Sequence, residues 1–162
     1  GEGTAPCGQG NSGCCRIPFD LLLIESIHLS QVMNRSLKHE QRQRVIDAAH
    51  DLAQRLRQLH HQQPGASYEQ LAKSADLRCP LLGETDCLVF ADRPPRCRYW
   101  HVAAGTAERQ DLEGEIAALS RQAFAALTGQ QAPVEELRFS SADTLSGKFV
   151  ELYFQVMLRA GR

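Results

Sequence analysis

The chain has 162 residues, of which 18 are basic and 19 acidic, so its net charge is −1. Such a balance excludes recruitment of nucleic acid or an anionic membrane by overall charge. The apolar fraction of 43% is ordinary for a globular protein, and no apolar run approaches the roughly 20 residues of a membrane span. We therefore expect a single domain over residues 1–162, with no nucleic-acid or membrane partner.

Apolar residues recur at helical spacing along much of the chain. Helices are predicted over residues 21–34, with Asp20 as N-cap, over 38–61, over 68–77, over 106–128 and after Ser140. The helix over 38–61 is the clearest, because Val45, Leu52 and Leu56 share one face while charged residues cover the other. The fold class that follows is mainly α, a helical bundle of about four to five helices with an irregular cysteine-rich lobe.

The last predicted helix has more apolar surface than one stripe requires. Val150, Phe154, Met157 and Leu158 widen its apolar face. Packing on both sides within the domain is the favoured explanation. A protein partner that contacts the C-terminal helix is the alternative.

Residues 79–104 have almost no helical or strand periodicity, apart from a brief predicted strand at 88–90. A loop of this length is uncommon in a compact domain and is usually functional or tied down. Cysteine ligation would tie it down.

The six cysteines form two groups with the spacings C-x6-C-C and C-x7-C-x9-C. The first group is Cys7, Cys14 and Cys15, and the second is Cys79, Cys87 and Cys97. Three disulfides are one interpretation, typical of small secreted domains that cannot build a core. This chain has ample apolar helix, the adjacent Cys14 and Cys15 crowd any pairing, and no secretory signal is visible. We therefore favour reduced, metal-binding thiolates and a cytoplasmic location.

Thiolates are soft ligands that select zinc, copper(I) or iron–sulfur clusters. Structural zinc sites favour close pairs such as C-x2-C, and no such pair is present. Spread ligands with glycine-rich wrapping favour an iron–sulfur cluster, in the first place [4Fe–4S], while zinc with bridging thiolates stays an alternative. The arginines beside the cysteines would offset the negative charge of such a centre: Arg16, Arg93, Arg96 and Arg98.

Residues 7–18, CGQGNSGCCRIP, and 79–98, CPLLGETDCLVFADRPPRCR, resemble the motif of the YkgJ-type cysteine-cluster family, a zinc- or iron-chelating domain. The matching positions are Cys14, Cys15, Cys79, Cys87, Arg93, Pro94, Cys97 and Arg98. Members commonly carry an additional cysteine in the leading run, where this chain has Cys7 alone. The resemblance implies a cysteine-cluster module over 7–100 with a helical extension, 106–162, packed on it. All six cysteines are candidate metal ligands, with Cys7 ranked after the other five, and the matching Arg93 and Arg98 are candidate residues at the cofactor.

The favoured function is therefore metal binding, with a redox, sensing or structural role. The cysteine cluster also resembles that of flagellin lysine N-methylases, which implies a group-transfer enzyme as the alternative. That alternative predicts a cleft beside the centre, although no glycine-rich nucleotide loop or acid–base pair supports it. His28 and His50 are interpreted as ordinary histidines, and His101 as a less favoured substitute ligand.

Overall fold

The computed structural model describes residues 7–10, 12–16, 19–102 and 105–162. The helices in these ranges are α1 (Leu23–Ser36), α2 (His39–Gln62), α3 (Tyr68–Ser74), α4 (Pro95–Arg98), α5 (Ala107–Thr128), α6 (Ser141–Ser146) and α7 (Phe149–Ala160). The strands are β1 (Asp20–Leu22) and β2 (Arg138–Ser140), which pair antiparallel. The mainly α fold class is thus confirmed, with seven helices in the described ranges rather than four to five.

The long helices follow the apolar periodicity closely. Helix α2 buries Val45, Ala49, Leu52 and Leu56, as their spacing predicts. Helix α5 begins after Thr106, whose side chain accepts a hydrogen bond from the Arg109 N–H, and ends at Gly129 in the left-handed conformation.

The start of α1 differs from the prediction. Asp20 is not the N-cap, because residues 20–22 are extended and pair with β2, with Leu21 opposite Phe139. The helix begins two residues later, where the Glu25 carboxylate accepts a hydrogen bond from the Leu22 N–H at 2.9 Å. A three-residue strand whose partner lies far along the chain has no local signature, so the apolar run at 21–24 has the same pattern as the helix that follows it.

The irregular segment is held by short local contacts. The predicted strand at 88–90 is wrong, because residues 90–92 form a 3-10 turn and the strand-like contact is an isolated bridge between Leu82 and Cys87. Helix α4 then follows Pro94 and carries Cys97.

The predicted last helix is interrupted. Ser140 caps α6 by accepting from the Asp143 N–H, as predicted, but Gly147, at φ 83°, separates α6 from α7. Internal packing does not cover the whole apolar surface of α7: Val150, Phe154 and Leu158 are all exposed. That part of the prediction is wrong, and the alternative, a protein partner that contacts α7, stays a prediction.

The core consists of packed helix pairs closed by the two-stranded ladder. Helix α2 packs on α6 and α1 packs on α5. Leu81 and Val89 of the irregular segment pack with Leu29 and Val32 of α1, so the segment is joined to the main core. No helix in the described ranges is both long and apolar enough to cross a membrane.

Candidate metal centre

Backbone hydrogen bonds join the two cysteine segments. The Cys79 N–H donates to the Cys15 carbonyl oxygen at 2.6 Å, and the Cys87 N–H donates to the Gly8 carbonyl oxygen at 2.8 Å. An exposed ion pair of 3.2 Å between Arg16 and Asp76 lies beside them. Residues 11, 17 and 18 of the first motif lie outside the described residues.

The cysteines converge on one enclosed cavity. Five of the six line it: Cys14, Cys15, Cys79, Cys87 and Cys97. Cys7 packs in the same cluster, in contact with Cys14 and Cys15. The cavity has a volume of about 10 Å³, which is about the space that one water molecule requires. The two motifs, separated by 63 residues of sequence, thus meet.

Two of the six cysteines are not thiols in this structure. Cys7 and Cys14 form a disulfide, which departs from the expectation that all six are reduced. Four thiols remain, on Cys15, Cys79, Cys87 and Cys97. Because thiolate is the form that binds metal, Cys7 and Cys14 would become ligands only after reduction.

The four thiols differ in acidity. A hydrogen bond with Cys79 lowers the pKa of Cys15, and the Arg93 charge acts in the same direction against the effect of burial. The same hydrogen bond, together with burial, raises the pKa of Cys79 well above that of an ordinary thiol. Burial raises the pKa of Cys87, and it raises that of Cys97 to about 12. Cys15 therefore ionises most readily, stabilised by the Cys79 S–H group.

Arg93 provides the positive charge of the cluster. Its side chain is 9% exposed and lines the cysteine cavity. Its Nε donates to the Phe90 carbonyl oxygen at 2.9 Å, and its guanidinium lies 3.9 Å from the centre of the Phe90 ring. Its Nη1 is buried and has no hydrogen-bond partner in the described part of the chain. A buried cation of this kind favours anionic neighbours.

The other residues singled out by the sequence lie further from the thiols. Arg98 is exposed and holds the loop, because its Nε and Nη2 donate to the carbonyl oxygens of Arg93 and Ala91 at 3.0 and 2.8 Å. His28 Nε2 donates to the Asp92 carbonyl oxygen at 3.1 Å, so this nitrogen carries the proton. His50 and His101 are both exposed.

The cysteine sulfurs are suitable ligands for a soft metal, but their arrangement in this structure does not form a metal site. Within residues 7–10, 12–16, 19–102 and 105–162, no group of three or more His, Cys, Asp or Glu side chains could hold a metal ion as it stands. Thiols in an enclosed, mainly apolar cavity pack as small hydrophobic groups, and the disulfide withdraws two more sulfurs. Metal binding therefore requires deprotonation and some opening of the lobe.

A second cavity lies on the other side of Arg93. It is a groove of about 590 Å³ between α1, α4 and α5, with Arg93 common to both linings. Glu25, which is 3% exposed, also lines the groove, and burial raises the pKa of its carboxyl group. Sequence reasoning missed Glu25. The available signal was a glutamate in the first turn of an apolar helix, the usual position for a residue that bonds the helix start.

Comparison with known proteins gives no match: no family model, no curated protein and no solved structure corresponds to this chain. The resemblance of residues 7–100 to the YkgJ-type family stays a prediction.

Proposed function

We propose that this protein binds a metal centre through its cysteine lobe, an iron–sulfur cluster in the first place and zinc as the alternative. We propose with it that residues 7–100 are a member of the YkgJ-type family and that the protein works where thiols stay reduced, as in the cytoplasm. The observation that carries the proposal is the convergence of five cysteines, from two distant segments, on one enclosed cavity.

Charge supports the same assignment. Four thiolates on a [4Fe–4S]²⁺ core or on one Zn²⁺ would leave a charge of −2. Burial raises the pKa of Cys87 and Cys97, and the charge of the buried Arg93 opposes this effect; the same charge contributes to the lowered pKa of Cys15. A buried guanidinium offsets part of that charge without a carboxylate that would compete for the metal.

Four residues would hold the centre: Cys15, Cys79, Cys87 and Cys97. When bound, an iron–sulfur cluster supplies one-electron redox chemistry, whereas zinc supplies a structural link. The chain itself keeps water from the sulfurs, since Leu81, Val89 and Leu145 line the same cavity. The first cysteine segment contacts the second through hydrogen bonds from the Cys87 N–H to the Gly8 carbonyl oxygen and from the Gly10 N–H to Asp86 Oδ1, and movement of this contact would admit the metal.

The proposal is tested by anaerobic purification followed by measurement of iron, acid-labile sulfide and zinc. A cluster gives equal iron and sulfide and an absorption band near about 400 nm, which zinc does not give. A folded protein that contains neither metal, and that binds neither after reduction and reconstitution, would overturn the proposal.

Two double variants test which cysteines bind the metal. Each variant lacks two cysteines, so the two can be compared directly. Cys79→Ser with Cys97→Ser removes two of the four thiols, so metal content should fall at least about tenfold. Cys7→Ser with Cys14→Ser removes the disulfide, so metal content should be retained. Equal loss in both would show that the ligand set includes Cys7 or Cys14.

A group-transfer enzyme of the methylase-like class is the second candidate function. The observation that favours it is the groove beside the cysteine lobe, because a reaction at the centre needs a cleft next to it. Equilibrium dialysis with labelled S-adenosylmethionine tests it directly. Absence of binding by the metal-loaded protein would contradict this methyl-donor mechanism.

A further inference from the structure

The groove between α1, α4 and α5 has the size and lining of a small-molecule site. Its volume of about 590 Å³ lies within the roughly 300–1,000 Å³ of typical ligand pockets. Its walls are mainly apolar: Ile24 and Ile27 of α1, Pro95 of α4, and Leu112, Ile116 and Leu119 of α5. Such walls favour an apolar body rather than a sugar or a nucleotide.

Two buried charged side chains, Glu25 and Arg93, also line the groove. Glu25 Oε2 accepts from the Leu22 N–H, and a hydrogen bond with the Arg96 backbone also favours the Glu25 carboxylate. Arg93 Nη1 is buried and has no hydrogen-bond partner in the described residues, so an anionic group next to Arg93 would be stabilised.

The charges of the lining favour an anion. Arg93 and Arg98 carry two positive charges, against at most one negative charge on Glu25. Arg98 is fixed by its bonds to the carbonyl oxygens of Arg93 and Ala91, so its charge is held at the groove while its side chain stays exposed. His28 and Gln31 complete the polar part of the lining.

We propose that this groove binds an apolar small molecule that ends in a carboxylate, such as a medium-chain fatty acid. The carboxylate lies near Arg93 and Arg98, and the chain lies along the apolar side chains of α1 and α5. Arg93 lines both the groove and the cysteine cavity, but no cysteine lines the groove, so the proposal does not require a bound metal.

The test is calorimetric titration of the purified protein with three ten-carbon probes of different charge. Decanoate should bind with a Kd below about 1 mM. 1-Decanol and decyltrimethylammonium should bind at least about tenfold more weakly, because they lack the negative charge that the arginines pair with. Equal or tighter binding of either would overturn the proposal, and so would the absence of decanoate binding at 1 mM.

Two substitutions on α5 test whether decanoate binds in this groove. Leu119 lines the groove and is 52% exposed, whereas Leu127, at 62%, is on the same helix and is not in the lining. Leu119→Glu puts a negative charge in the apolar wall and should weaken decanoate binding at least about tenfold. Leu127→Glu is the matched control and should leave it unchanged. Unchanged binding in Leu119→Glu, or equal losses in both variants, would contradict the assignment.

Discussion

Single residues determine how closely the two cysteine segments approach each other. Gly8 has a φ of +99°, and a Cβ at this position would lie 3.1 Å from Cys87 Cβ and 3.3 Å from Arg93 Cδ. The glycine therefore allows both the backbone conformation and the close packing of the first segment on the second.

We predict that Gly8→Ala lowers the free energy of unfolding by about 2–3 kcal/mol, because left-handed backbone strain and the contact with Cys87 add together. Gly10→Ala is the control: its φ is +65°, but among the described residues, its chain neighbours apart, no atom lies within 4 Å of a Cβ there. It should cost about 1 kcal/mol. Urea unfolding and the rate of thiol labelling measure both, and equal effects of the two substitutions would refute the close approach at Gly8.

Glu25 gives the stability a dependence on pH. Burial raises the pKa of its carboxyl group above that of the unfolded chain. The folded state then binds more protons between the two pKa values, so this residue's contribution is full below the unfolded pKa and is lost as pH rises through the folded pKa.

Glu25→Gln should therefore gain stability relative to the wild type as pH rises from 4 to 7, by on the order of 1 kcal/mol. The glutamine can still accept from the Leu22 N–H, so α1 should keep its start. Thermal unfolding of both proteins across this pH range is the measurement. A constant difference between the two curves would contradict the shift.

The two cysteine groups were expected to share one centre and do meet in the fold, but the chemistry of individual sulfurs could not be predicted from their spacing. The Cys7–Cys14 disulfide depends on how the glycine-rich segment folds back. The acidity of Cys15 depends on the Cys79 thiol and on Arg93, which are distant in sequence. Such long-range contacts have no local signature.

At the scale of elements, the sequence pattern predicted the long helices and the short α3, but it missed the two short strands. Helices α2 and α5 each span several turns, so their apolar stripes are well sampled. Strands β1 and β2 have three residues each, too few for a period of two to be recognised. Their pairing is a tertiary event that overrides the local helical preference of Leu21 and Leu22.

The contribution of a short element to the stability of the fold can be measured at α6. Ser140 caps it, and α6 packs on both α1 and α2. Ser140→Ala should lower the global free energy of unfolding by about 1 kcal/mol. Ser67→Ala removes the equivalent cap of α3, which packs mainly on α2, so its effect should appear as local opening in hydrogen exchange. A global loss from Ser67→Ala equal to that from Ser140→Ala would refute this contrast.

At the scale of the whole molecule, α7 shows which faces the fold covers. Phe149 is 6% exposed and packs against Phe139, whereas Phe154 is 49% exposed. The sequence could not show which face of α7 is buried, because both faces are apolar. The buried face depends on where α5 and β2 lie in the folded protein.

Phe149→Ala should therefore lower the free energy of unfolding by about 3–5 kcal/mol, and Phe154→Ala by less than about 1 kcal/mol. Chemical denaturation of both variants checks the assignment. Similar losses in the two would mean that the exposed face is covered, for instance by a second chain, and sedimentation would then detect that chain.

The antiparallel ladder between Asp20 and Ser140 has a consequence for synthesis. The first strand leaves the ribosome about 120 residues before its partner, which at ~5–20 residues per second is a wait of roughly 6–24 s. All six cysteines are translated by residue 97, before the second strand is made. Each newly made molecule thus presents its sulfurs to metals and oxidants before the ladder that completes the core can form.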